Sequence, residues 1–153
     1  MKKVLAFPQL GDYKHPIGKF LRRVTNLEVI NTPPITRKTI DLGSKYSPDS
    51  VCIPFKYNLG NFIEALDMGA NVLLQAGGGC RYRYYAEVQE TILKDLGYNF
   101  EFIQIIGGDS LNFKEVFTIF KKLNPTLTKR KFIHEGLSTL LYINYLDKLD
   151  IEI

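Results

Sequence analysis

Short apolar runs alternate along this chain with longer segments whose apolar residues recur at helical spacing. The apolar runs cover residues 4–7, 27–30, 51–53, 71–75 and 99–106. The helical patterns between them cover residues 15–24, 36–42, 57–68, 84–96 and 112–123. Strands spaced roughly 20–30 residues apart, with a helix in each gap, are typical of βα units. The chain is therefore predicted to be an α/β protein, a three-layer sandwich with a mostly parallel sheet of four or five strands.

The length and composition indicate a globular chain of ordinary make-up. A chain of 153 residues, 45% hydrophobic and 24% charged, is not typical of disorder, collagen or a coiled coil. The alternation fits poorly after Pro125, which predicts an α/β domain over 1–124 and a C-terminal helical extension over 125–153. Residues 132–149 are predicted to form one long helix in that extension. The net charge of +4 permits an acidic or phosphorylated partner but does not require nucleic acid.

The two cysteines are too few for a disulfide framework. The apolar run after Lys3 is too short for a signal peptide, and no stretch approaches the 18 or so apolar residues of a membrane span. These features predict a cytoplasmic protein without a membrane partner. Thiols stay reduced in the cytoplasm, so both cysteines are available for metal or redox chemistry.

In an open α/β sheet, ligands bind outside the carboxyl ends of the strands. The loops expected there are 8–14, 32–36, 52–56, 76–83 and 107–111. Cys52 and Cys80 both fall in this set, each shortly before a predicted helix. A helix N-terminus carries positive partial charge and free N–H groups, which favour a thiolate or an anionic cluster. The alternative is that both cysteines are small buried apolar residues.

Three glycines, Gly77, Gly78 and Gly79, stand between a predicted strand and a predicted helix. They would allow the backbone to approach a phosphate or the sulfides of a cluster closely; the alternative is a tight turn. The spacing matches neither the dinucleotide fingerprint nor the P-loop. Arg81 opens a run of alternating arginines and tyrosines that could hold phosphate or simply pack a helix.

The other chemistry-bearing residues point to no catalytic group. Gly107–Ser110 is interpreted as a turn and helix cap, and the basic run at 129–131 as a solvated patch. His15 and His134 have no partner at metal-ligand spacing, and no acidic pair suggests general acid–base chemistry. No catalytic residue is therefore assigned.

Six segments together resemble the 2-hydroxyacyl-CoA dehydratase (D-component) and CoA protein activase-related family. They are PPIT at 33–36, LGSKYSP at 42–48, CIPFK at 52–56, NLGNF at 58–62, QAGGGCRY at 75–82 and DLGY at 95–98. The likeness covers roughly residues 4–106. It implies Rossmann- or flavodoxin-type domains around an oxygen-sensitive [4Fe–4S] cluster. Dehydratases of this family remove water from a 2-hydroxyacyl-CoA through a ketyl radical, after an ATP-driven activator injects an electron.

Carried over by position, the resemblance implies that Cys52 and Cys80 ligate the cluster, with Gly77–Gly79 as close-approach backbone and Arg81 as a charged neighbour. Family members are about twice this long and have further cysteines, whereas a four-iron cluster usually needs about four. The chain is then part of a longer or split protein, shares a cluster with a second chain, or lacks one. The expected partners are an ATP-dependent activator, a second dehydratase subunit or a second copy, with acyl-CoA as a candidate ligand. Any enzymatic activity would be that of an incomplete lyase component.

A different class of function stays open beside this one. The chain could be a metal-free Rossmann-like binding domain that recognises a CoA or nucleotide phosphate at Gly77–Gly79. The two sulfurs distinguish these alternatives, because ligands of one cluster lie within roughly 6–7 Å of each other, given metal–sulfur bonds of about 2.3 Å.

Overall fold

The computed structural model describes residues 2–76, 85–105 and 112–152, with side chains to residue 150. The strands in these ranges are β1 (Val4–Ala6), β2 (Glu28–Val29), β3 (Val72–Gln75) and β4 (Glu101–Gln104). The helices are α1 (Lys14–Thr25), α2 (Arg37–Tyr46), α3 (Ile53–Asp67), α4 (Tyr85–Asp95), α5 (Phe113–Leu123) and α6 (Lys129–Glu152), with a 3-10 turn at Gly11–Tyr13 before α1.

The four strands form one parallel sheet in the order β2-β1-β3-β4. Leu5 of β1 is in register with Val72 of β3, and Leu73 of β3 with Phe102 of β4. All four residues of β3 are buried, as expected for an interior strand of a parallel sheet that is covered on both faces. The predicted α/β class with its parallel sheet is confirmed.

The chain divides into two compact units. The first contains Met1–Gln9 and Ile30–Leu111, and the second contains Leu10–Val29 and Asn112–Ile153. The domain boundary predicted from the sequence, after residue 124, remains a prediction.

The core of the first unit is built around α3, whose apolar residues are almost completely buried. Phe62 is fully buried, and its ring meets that of Phe102 edge-on, with 5.8 Å between centroids. Such aromatic pairs contribute stabilisation beyond their buried area. The buried residues of this core are Ala6, Phe55, Leu59, Phe62, Ile63, Ala65, Leu66, Ala70, Leu73 and Leu93.

Helices α2 and α3 cross at two glycines, Gly43 and Gly60. A Cβ atom added to Gly43 would lie 1.7 Å from the Lys56 carbonyl oxygen, and one added to Gly60 would lie 1.9 Å from that of Thr39. The helix predicted over 36–42 continues through Gly43 to Tyr46 and is capped by Ser47. The missing side chain of Gly43 serves the close approach of the two backbones and not a left-handed helix end.

The second unit is held together by phenylalanine rings from α1, α5 and α6. The Phe20 ring lies 5.7 Å from those of Phe120 and Phe132, centroid to centroid. Asn124, just after α5, donates a 2.9 Å hydrogen bond to the Val24 carbonyl. The long helix predicted over 132–149 is observed as α6, extended by three residues at each end.

Tyr98, just after α4, donates a hydrogen bond to Asp67 at the end of α3. We expect the stability of the protein to depend on pH through this tyrosine. The pKa of Tyr98 is raised from 10.0 to about 12. Burial is the larger cause, and the 2.8 Å hydrogen bond to Asp67 is the next. Because the folded pKa exceeds the unfolded one, Tyr98 contributes stability that is complete below pH 10 and is lost as the pH rises through about 12.

An ultraviolet titration of wild type against Tyr98→Phe should show this single tyrosinate forming well above the ordinary tyrosine range. Asp67→Asn should lower the pKa of Tyr98 only part of the way toward 10.0, because the burial of the tyrosine remains. Ionisation of Tyr98 near its ordinary pKa of 10.0 would contradict the expectation.

Candidate functional site

The described part of the candidate site lies where β3 ends and where α3 and α4 begin. Gln75 is the last residue of β3, and its side-chain nitrogen donates a hydrogen bond to the Gln89 side-chain oxygen at 3.0 Å. Gln89 is fully buried, and its own amide nitrogen donates to the Phe55 carbonyl at 3.3 Å. These bonds hold the first turn of α3 and the start of α4 at the carboxyl edge of the sheet, where α/β proteins bind ligands.

Cys52 occupies the N-cap position of α3 in extended conformation, with φ −72° and ψ 161°. Its carbonyl accepts the Lys56 N–H at 3.3 Å, and its side chain is exposed. The thiol therefore stands at the start of a 15-residue helix, beside N–H groups that have no partner within the helix. This is the helix-terminus environment that the sequence predicted for Cys52.

The strand predicted over 51–53 is wrong, and the helix predicted from Tyr57 begins four residues earlier. Residues 48–51 form a turn closed by the Val51 N–H and the Pro48 carbonyl, and α3 follows at once. Pro54 takes the second helical position, where its missing N–H costs no hydrogen bond and its fixed φ suits a helix. Pro54 is thus part of the helix start.

Tyr85, the first residue of α4, is the partner of Cys52. Its hydroxyl contacts the Cys52 sulfur, and its ring meets that of Phe55 edge-on, with 5.1 Å between centroids. The sequence did not distinguish Tyr85 from the neighbouring tyrosines, which could equally have packed a helix face. The one sequence feature that could have pointed to Tyr85 is its place at the end of the alternating arginine and tyrosine run.

A second polar cluster joins the loops after β1 and β2 to α3. Asn61 is fully buried; its side-chain oxygen accepts the Gln9 N–H at 2.9 Å and its nitrogen donates to the Pro33 carbonyl at 3.2 Å. The Gln9 side-chain nitrogen, Nε2, donates to the Thr32 carbonyl at 3.3 Å. Two of the loops expected at the ligand edge, 8–14 and 32–36, are thus connected through one side chain that the sequence did not single out.

The remaining predicted site residues, Cys80, Gly77, Gly78, Gly79 and Arg81, lie outside the described residues, as does the Gly107–Ser110 loop. Their roles stay predictions. Within the described ranges, no three His, Cys, Asp or Glu side chains are grouped so as to hold a metal ion. Over the same ranges, no helix combines the length and apolar character needed to cross a membrane.

Comparison with known proteins adds no assignment. No family model, no curated protein and no solved structure matches the chain.

Proposed function

We propose that this chain is an iron–sulfur-binding domain or subunit of a system related to 2-hydroxyacyl-CoA dehydratases and their activases. Cys52 and Cys80 would each supply a thiolate ligand. The observation that carries the proposal is the exposed Cys52 thiol at the start of α3, in contact with the first residue of α4. The six segments that resemble the family supply the nature of the cofactor.

Chain connectivity supports a shared site for the two cysteines. Cys80 stands four residues after Ala76 and five before Tyr85 in the sequence. An extended chain spans at most about 3.6 Å per residue, so five residues of chain span at most about 18 Å. Since Tyr85 contacts Cys52, a ligand common to both cysteines is compatible with the chain's reach.

The donor set fits half of a cluster. Two cysteines per chain supply two of the roughly four thiolates that a [4Fe–4S] cluster needs. A second copy, a second dehydratase subunit or further sequence would supply the others. The proposal includes an ATP-dependent activator as electron donor, acyl-CoA as a ligand of the assembled system, and the cytoplasm, where thiols stay reduced.

The described residues would position and tune such a group. A bound cluster would supply one-electron transfer, the chemistry the resemblance implies. The Tyr85 hydroxyl can donate a hydrogen bond to the Cys52 sulfur, and bonds of this kind shift a cluster's reduction potential. Gln75 and Gln89 hold the first turn of α3 in place through the Phe55 carbonyl, and Cys52 is the N-cap residue of that turn.

The proposal is tested by anaerobic reconstitution with iron and sulfide. We expect about four irons per chain or per dimer, with visible charge-transfer absorption, and loss of both in Cys52→Ala and in Cys80→Ala. Ile53→Ala is the matched control, because Ile53 is the exposed neighbour of Cys52 on the same helix start. It should load iron as the wild type does. Tyr85→Phe should keep the iron and shift the reduction potential.

Absence of iron in the folded wild type, or equal iron in the cysteine variants, would overturn the cluster proposal. The metal-free alternative would then take its place. Calorimetric titration with CoA and with ADP, on wild type and on Gly78→Ala, would test phosphate recognition at the glycine loop.

A further inference from the structure

Helix α6 carries an apolar stripe that the residues described by the structure leave exposed. Its members recur three or four residues apart over 17 positions, with one adjacent pair, and each is between 41% and 71% exposed. Monomeric proteins rarely expose contiguous apolar patches of this extent without a partner. The stripe consists of Ile133, Leu137, Leu140, Leu141, Tyr145 and Leu149.

The opposite side of α6 already has its partners within the second unit. Phe132 is buried against Phe20, and both carboxylate oxygens of Glu135 accept a hydrogen bond from Arg23 at 3.1 Å. At 100° per residue, these two residues lie across the helix from Leu137 and Leu141. The centre of the stripe, at Leu137 and Leu141, is therefore on a second face of α6, left over after the helix has packed on α1.

The charges of α6 are distributed unfavourably for its macrodipole, with basic residues at the N-terminus and acidic residues near the C-terminus. Lys129, Arg130 and Lys131 form the first turn, which has no acidic residue. Asp147 and Asp150 stand near the other end with Lys148 between them, and Asp147 also accepts a hydrogen bond from the Tyr13 hydroxyl of the same unit. A helix is stabilised by the reverse distribution, with anions at its N-terminus. The three basic side chains are exposed, and none forms an ion pair with any residue the structure describes.

We propose that the α6 stripe binds the same stripe of a second copy of this chain in antiparallel orientation. Antiparallel pairing places the basic first turn of each helix beside the acidic end of the other, so one arrangement accounts for both the apolar stripe and the charge distribution. Parallel pairing would place the two basic turns together. The contact is self-complementary about a two-fold axis, as in most dimers, and extends over up to about 36 Å of helix.

The first test is sedimentation equilibrium of the full chain, kept metal-free with a chelator. We expect a monomer–dimer equilibrium that depends on concentration and weakens as salt is added. Leu137→Glu and Leu141→Glu should each weaken dimerisation roughly 30-fold or more, since each places a charge in the apolar centre. Met68→Glu is the control, because Met68 is a 57% exposed apolar residue in the other unit.

The orientation is tested by reversing charge at one end and then at both. Combined replacement Lys129→Glu, Arg130→Glu and Lys131→Glu should weaken the dimer about tenfold or more, although these acidic residues suit the helix N-terminus better. Adding Asp150→Lys in the same chain should restore part of it, with Asp147 left unchanged because it accepts a hydrogen bond from the Tyr13 hydroxyl. In a parallel pair, reversal at one end would leave the dimer unchanged.

A monomer at every concentration would overturn the proposal, because the stripe would then be covered by something other than a second copy. A dimer that both glutamate variants leave intact would overturn it as well. Circular dichroism confirms in each case that the variants keep their helices. The inference does not rest on the iron–sulfur proposal, and its test uses protein without metal, so either can fail alone.

Discussion

Gly60→Ala is expected to lower the free energy of unfolding by about 3 kcal/mol or more, because α2 and α3 touch backbone to backbone at this position. The added methyl would lie 1.9 Å from the Thr39 carbonyl oxygen and 2.8 Å from its carbon, both of them main-chain atoms. No side-chain rotation can relieve such contacts, so the helices must move apart. Phe62 and Ile63, buried on the same helix, would then lose part of their packing.

Gly43→Ala should have a similar effect, since its Cβ would lie 1.7 Å from the Lys56 carbonyl oxygen. The double variant should lose less than the sum of the two, because one separation of the helices relieves both clashes. Urea unfolding followed by circular dichroism measures all three.

Gly136→Ala is the matched control for the two glycine variants. Gly136 lies inside α6, and its added Cβ would meet no atom within 4 Å. Alanine is the better helix former, so this variant should gain about 0.5–1 kcal/mol. A Gly60→Ala protein as stable as the wild type would show that the helices do not approach this closely.

Asn61→Ala is expected to cost about 2–4 kcal/mol of stability, because its fully buried amide serves two backbone groups. The Gln9 N–H would lose its 2.9 Å bond to Asn61, and the Pro33 carbonyl would keep only the longer 3.5 Å bond from the Gln9 side chain, at roughly 1–3 kcal/mol for each weakened group. Asn61→Asp would keep the acceptor but turn a carboxylate oxygen toward the Pro33 carbonyl, so it should be no better tolerated.

The local readout is hydrogen exchange at the Gln9 amide, which should become faster in Asn61→Ala. Asn58→Ala, one turn earlier on the same helix and only partly buried, should leave both stability and Gln9 exchange near wild type. Unchanged Gln9 exchange in Asn61→Ala would contradict the role assigned to this side chain.

The candidate site was predictable only in part. That Cys52 would stand before a helix followed from local signals, namely a breaker-rich stretch and then a periodic apolar pattern. The contact between Cys52 and Tyr85 could not be predicted from the sequence, because 33 positions separate the two residues and no local pattern links them. Asn61 was also missed, since a buried asparagine inside an apolar helix face looks in sequence like any exposed polar position.

The apolar periodicity of the sequence determined the α/β class, the order of most elements and the long last helix, because side-chain spacing decides which face of an element leaves water. Tertiary structure decided the rest. Residues 51–53 became a turn and a helix start, and Gly43 became a point of contact between helices. The exposed stripe of α6 became visible only once the opposite face was packed. Each of these depends on contacts between residues far apart in the chain, and such contacts override local propensity because they supply most of the burial energy.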